Sequence, residues 1–435
     1  MKRFYSFSVL FVGLLIGGYS FFSPSPAIRA QGQPASGDQS VSGNDPVARL
    51  QQRIDRGEVR LEYSEPRGWL QSVLNHLRVP VSSQGLVFSK TSLQSNHISP
   101  ANPRAIYFND DVYVGWIRGA ELLEVSTVDP LLGGVFYTLE QKPAEKPRFV
   151  RGESCVRCHL TASTRYMPGH LVRSVYPDSG GVTNAEFGSF VTDHSSRFGN
   201  RWGGWYVTGT HGAERHLGNM FFDGVGDNPE HLTGGNLTRL DRKVDLSGYA
   251  SPHSDIVALM VMAHQTQMQN LIVWLGYETR MALREQTELD RAAGKPKGEW
   301  AESTRRRIHN AADELLRYML FTDEARLRAP VAGTSGFAAE FAARGPKDKL
   351  GRSLREFDLK ERLFRYPCSY LIYSEAFDNI PGPALDYLYR RLWLVLTGQV
   401  KEKEFAAISA ADRKAILEIL RETKKNLPDY FREDE

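Results

Sequence analysis

Five consecutive residues, Cys155-Val156-Arg157-Cys158-His159, place the tightest constraint on what this chain can fold into. Two cysteines three apart, with a histidine directly after the second, form the attachment signature of covalent haem. On one helical turn, positions i and i+3 share a face, so both thiols can reach the two vinyl groups of one porphyrin edge. The histidine beside the second thioether is then held under the ring, where its imidazole can ligate iron from the proximal side. The rest of the chain is read around that turn.

Rival chemistries for the two cysteines fit less well. A structural zinc site usually needs four Cys/His ligands, and the only other cysteine, Cys368, lies far along the chain. A thioredoxin-like dithiol is expected beside a βαβ pattern, and none occurs nearby. Cys368 itself sits in the aromatic-rich stretch Arg365-Tyr366-Pro367-Cys368-Ser369-Tyr370. A buried structural thiol is its plainest reading; a sulfur ligand or an intermolecular disulfide are the alternatives.

The N-terminus reads as an export signal over residues 1–30. Lys2 and Arg3 give a basic start, Val9 to Phe22 an apolar stretch, and Ala27-Ile28-Arg29-Ala30 a small-residue cleavage site. The apolar stretch is shorter than the ~20 residues of a spanning helix and three glycines interrupt it, so a membrane is a partner only if this segment stays uncleaved. The formal charge is +3, and Lys2, Arg3 and Arg29 supply as much as that, which leaves a near-neutral mature chain. Such a balance points away from nucleic acid and from anionic membrane surfaces.

Downstream, 435 residues suffice for more than one cored region. Residues 31–59 read as a flexible lead-in whose last part, Pro46 to Arg56, has helical character. A second short helix fits Gly68 to Leu77. The following part of a β-rich region, 60–150, alternates short strand-like runs with turn residues. Ile106–Phe108 and Val112–Ile117 make a hairpin across Asn109-Asp110-Asp111, and Glu121–Val128 and Val135–Leu139 add strands. Residues 151–250 form a haem-attachment and loop region rich in glycine, histidine, arginine and tryptophan. From Ser251, read as an N-cap, the period turns helical to about Thr287. Further helices fit Ser303–Thr322, Pro383–Thr397 and Ser409–Thr423, with Ala329–Arg352 as a surface excursion. The expected fold class is α+β: a small antiparallel sheet before the haem site and a helical C-terminal half, 251–435, containing one long helix.

From about residue 60 to 425 the chain resembles a family of exported bacterial cytochrome-c-domain proteins, c-type monohaem proteins without an assigned activity. The likeness is carried by Leu86 to Thr91, Tyr107 to Tyr113, Trp202 to Gly212 and Arg365 to Asp378. The resemblance implies one haem c, attached outside the cytoplasm, and therefore a periplasmic or otherwise exported protein. The chain differs from small electron-carrier cytochromes in its approach to the motif. A Pro/Lys connector at 141–150, rather than an N-terminal helix, leads in.

Two activities follow from haem ligation. An iron with two protein ligands shuttles electrons, and one with an open sixth position binds peroxide, oxygen or other small ligands. In the first case Cys155 and Cys158 hold the porphyrin, His159 is the proximal ligand, and His264, Met220 or His211 supplies the sixth. In the second, His194 with Arg197, or His211 with Arg215, would polarise a bound peroxide in an oxidoreductase of peroxidase or oxidase type. The expected partner is a redox protein or a small-molecule electron donor or acceptor.

Overall fold

The computed structural model describes residues 45–224, 235–294 and 299–432. The expected signal peptide and the lead-in up to residue 44 lie outside the described residues. Helix α1 (Pro46–Asp55) begins at an Asp45 cap whose Oδ1 accepts from the backbone N–H of Val47 and Ala48. The other carboxylate oxygen accepts from the Tyr137 hydroxyl at 2.7 Å. Val47, Leu50 and Ile54 of α1 are buried, so residues 45–59 belong to the packed fold rather than to a flexible lead-in. Helix α2 (Leu70–His76) packs into the same core.

The strands β1 (Gly85–Val87), β2 (Arg104–Phe108), β3 (Val112–Trp116), β4 (Leu122–Asp129), β5 (Gly133–Glu140) and β6 (Phe149–Arg151) form an antiparallel sheet. The late strand β9 (Trp205–Tyr206) closes its other edge, giving the order β6-β5-β4-β3-β2-β1-β9. Asn109 makes the expected β2–β3 turn, its Oδ1 accepting from Asp111 and Val112 N–H at 3.0 and 2.8 Å. Alternation then sorts side chains to two faces. Tyr107, Val114, Leu123, Val125 and Leu139 face the core shared with α1 and α2. Phe108 and Tyr113 face the second core, and Arg104, Glu124, Ser126 and Phe136 lie on that same face.

Between β6 and the C-terminal half run α3 (Glu153–His159) and a small hairpin, β7 (Arg173–Val175) with β8 (Ser189–Val191). The long helix α4 (Ile256–Ala292) then covers part of the sheet. Gln265 Nε2 and Gln269 Nε2 donate to the Asn109 and Asp110 carbonyls, and Tyr113 OH donates to Gln269 Oε1 at 2.7 Å. Its other sides meet α5 (Glu302–Met319), α6 (Phe337–Ala343), α7 (Glu375–Asp378) and α8 (Gly382–Leu396), with α9 (Ala410–Thr423) packed on α8. The α+β reading thus holds. No helix among the described residues is long and apolar enough to cross a membrane.

Two local expectations are corrected. The stretch expected as a surface excursion contains α6, whose Phe337 and Phe341 are fully inside the second core. The N-cap of α4 is Asp255, not Ser251: Gln84 Nε2 takes the Ser251 and His253 carbonyls, holding that segment extended against the sheet. Asp255 Oδ1 accepts from Val257 and Ala258 N–H, while Oδ2 accepts from Thr334 N–H, Ser335 N–H and Ser335 Oγ. One buried carboxylate thereby ties α4 to the segment that leads into α6. Asp255→Ala is expected to cost about 2–4 kcal/mol, from a lost cap plus stranded buried donors, read as a lower urea midpoint; Asp255→Asn should cost less.

Candidate functional site

The sheet turns into the haem motif at a single peptide. Gly152 N–H donates to Phe136 O at 2.8 Å, directing the chain off the edge strand and into α3. A side chain at residue 152 would crowd Cys155 Sγ at 3.1 Å, so glycine suits that position. On α3, Cys155 is half-buried and Cys158 exposed, on the shared face that their spacing dictates.

Beyond α3 the chain makes a reciprocal Thr161–Thr164 cap and comes back on itself. Gly169 N–H donates to His159 O at 3.0 Å, and His159 Nδ1 lies 2.8 Å from Gly169 O. A carbonyl only accepts, so Nδ1 carries the proton and Nε2 keeps its lone pair. That is the tautomer an iron-ligating histidine needs, oriented by a backbone partner as metal-binding histidines are. Among the described residues Nε2 has no hydrogen-bond partner. Burial holds His159 below the usual histidine range, with Arg104 and Arg173 pushing the same way. The imidazole is therefore neutral at neutral pH. On these counts the residues fit a covalently held haem.

The sheet supplies an aromatic floor. Phe136 packs 4.5 Å from the His159 ring and 5.6 Å from His170. His170 stacks on Tyr113 at 4.4 Å, and its Nε2 lies 3.0 Å from Ser126 Oγ. On the same face Arg104 and Glu124 form an ion pair over Gly115, where a Cβ would strike the guanidinium. Ser92 and Gln94 also hold Glu124, while Arg104 Nε is buried without a partner among the described residues. Beside this floor lie large apolar side chains that water still reaches. Val150, opposite Thr138 on the Phe136 face, is 60% exposed, Leu160 40% and Tyr166 65%.

The candidate sixth ligands lie in other environments. His264 is enclosed between α4, α5 and the 364–370 segment, stacked on Tyr318 and Phe321. Its Nδ1 is 2.8 Å from His194 Nδ1 and its Nε2 is 2.8 Å from Ser369 Oγ, so neither nitrogen is left for iron. His211 sets Nδ1 2.9 Å from Glu214 O and Nε2 2.8 Å from Gly235 O, so each nitrogen faces a backbone carbonyl, to one of which the neutral ring donates. Met220 packs with Tyr176, Leu217 and Phe222 in a satellite cluster. The members of each His–Arg pair differ in burial. His194 and His211 are buried while Arg197 and Arg215 are exposed. The guanidinium that reaches His194 is that of Arg201, which donates to the His194 carbonyl at 2.9 Å.

Sequence reasoning gave no role to Gly169, His170, Asn270, Phe136 or Ser126. Only Pro168-Gly169 left a local trace, as a turn signal ten residues past the motif histidine. Cys368 is fully buried in the second core, its thiol pushed up to about 12 by burial. Among the described residues no group of three or more His, Cys, Asp or Glu side chains could hold a metal ion. Comparison with known proteins gives no relative: no family model matches the chain, and no curated protein or solved structure matches it.

Buried neutral histidines make the fold sensitive to acid. Burial lowers His170, His194 and His216 from 6.5 to about 3, and His264 well below 6.5. The unfolded chain takes up these protons first, so their contribution is complete above pH 6.5 and is lost as pH falls towards 3. Urea midpoints are expected to drop steeply between about pH 6.5 and pH 4, and His216→Gln should flatten that dependence.

Proposed function

We propose that this chain is an exported c-type monohaem protein acting in electron transfer. Cys155 and Cys158 carry the thioethers and His159 is the axial ligand. The observation that carries the reading is the His159 Nδ1–Gly169 carbonyl bond, which presents an unprotonated Nε2 beside two accessible thiols. A bound haem supplies reversible one-electron chemistry at its iron.

The chain's own residues do the rest. Phe136 and the exposed Val150, Leu160 and Tyr166 offer apolar surface to a flat macrocycle and exclude water from it. Arg104 and Arg173 bring positive charge near His159, suited to the propionates. Because Cys158 is exposed, the attached edge lies near the surface, where a redox protein or a small-molecule donor or acceptor can approach within electron-transfer range.

A second reading is favoured by one specific feature. His264 has both ring nitrogens engaged, His211 faces backbone carbonyls on both sides, and Met220 is buried in a separate cluster. An iron without a protein sixth ligand suits a haem-dependent oxidoreductase of peroxidase or oxidase type. The buried histidine nearest the axial ligand would then be His170, whose ring centre is 6.4 Å from that of His159.

The test is to express the full chain in a host with a working cytochrome c maturation system. Pigment should remain with the polypeptide through acid-acetone extraction and be lost from Cys155→Ala/Cys158→Ala. Release of the pigment from the unaltered protein sinks both readings. Low-spin bands unmoved by cyanide or carbon monoxide support electron transfer, whereas a high-spin signal that shifts on their addition supports the oxidoreductase.

A further inference from the structure

Asn270 lies on the buried part of α4 and bonds through both ends of its carboxamide to the backbone of one residue, His170. Its Oδ1 accepts from His170 N–H at 3.1 Å and its Nδ2 donates to His170 O at 2.9 Å. This is the pairing a neighbouring strand would offer, supplied here by a side chain. Gly169 is pressed against the same amide: a Cβ there would overlap Asn270 Oδ1 and stand 3.2 Å from Thr164 Cγ2. On the sheet side, Gly134 N–H donates to Pro168 O at 2.7 Å. The backbone of 168–170 is thus held between sheet and helix rather than by turns of its own. The carbonyl so placed, that of Gly169, is the one that receives His159 Nδ1–H.

We infer that Asn270 is a positioning residue for the axial histidine, fixing through Gly169 and His170 the carbonyl that orients His159 and sets its basicity. The inference rests on the proposed ligation by His159. Asn270 does not itself touch that ring; it acts through the intervening peptide. A well-placed acceptor on Nδ1–H enriches Nε2 in electron density, which favours the ferric over the ferrous state. Loosening the clamp lengthens that bond and moves the reduction equilibrium towards ferrous.

The experiment uses the full, haem-loaded chain with Asn270→Leu, Asn270→Asp and Gly169→Ala. Gln286→Leu serves as a control because Gln286 is a buried amide on the same helix, bonded instead to Ala301 N–H and Thr304 Oγ1. Asn270→Leu and Gly169→Ala should retain covalent haem at the unaltered stoichiometry. Each should shift the reduction equilibrium about tenfold towards ferrous, which is about 59 mV for one electron. Asn270→Asp keeps the acceptor, loses the donor and adds a carboxylate charge that itself favours ferric, so its shift should fall short of that of Asn270→Leu. The control should lose stability with its potential unchanged.

An Asn270→Leu protein with unaltered potential and spectrum, destabilised only as the control is, overturns the inference. If neither it nor Gly169→Ala accumulates folded, Asn270→Asp decides: an unchanged potential and spectrum again overturn the clamp. Absence of covalent pigment from the unaltered protein instead removes the ligation reading, and the clamp with it.

Discussion

The enclosure of the first half of α4 is the constraint from which the remaining geometry follows. From Ile256 to Leu275 nearly every side chain is buried, polar ones included. A helix wrapped in this way has no water for its polar side chains, so each must find a protein partner. Gln265 and Gln269 find the β2–β3 turn, His264 finds His194 and Ser369, and Asn270 finds His170. The helix therefore acts as a template with polar side chains reaching two sides. Its sheet-facing amides fix the hairpin and the haem loop, and its opposite side fixes the C-terminal core.

The two sides differ in what they leave available. In the C-terminal core, histidine nitrogens are consumed: His264 uses both, and His194 retains only a buried Nε2 without a partner. Full burial keeps these rings neutral. At His159 the burial is partial and the backbone, not another ring, accepts a hydrogen bond from Nδ1–H. That difference separates a ring that packs from a ring that can ligate.

The sheet has the same division of labour. One face is an apolar core closed by α1 and α2, with Asp45 reaching across to Tyr137. The other is partly covered by α4 and partly left to the motif. On the rest of that face, Phe136 is buried against the His159 and His170 rings, and Arg104 pairs with Glu124. The edge strand β6 and the Gly152 turn then deliver the cysteines to this surface.

Much of this was legible from residues close together in the chain. The β2–β3 hairpin followed from Asn109-Asp110-Asp111 between apolar runs, and the long helix from its period. The Ser409 cap of α9 followed from its own tetrapeptide, Ser409 Oγ accepting from Asp412 N–H. The motif named three candidate residues, Cys155, Cys158 and His159, by spacing alone. The start of α4 was misread because Ser251 and Asp255 are both good caps, and a contact with Gln84, 167 residues away, decides between them. The buried α6 escaped because an Ala/Gly-rich segment looks like loop until Phe337 and Phe341 meet a core.

Chain-local chemistry by itself therefore determined most of the elements, their class and the helical turn that puts Cys155 and Cys158 on one face, because periodicity, turn residues and i, i+3 geometry act within a few residues. Tertiary structure alone decided which histidine keeps a nitrogen free. The partners that settle it, Ser369 for His264 and Ser126 for His170, lie 105 and 44 residues away. A single long-range hydrogen bond has no period and no spacing, so it leaves no mark in the order of the residues.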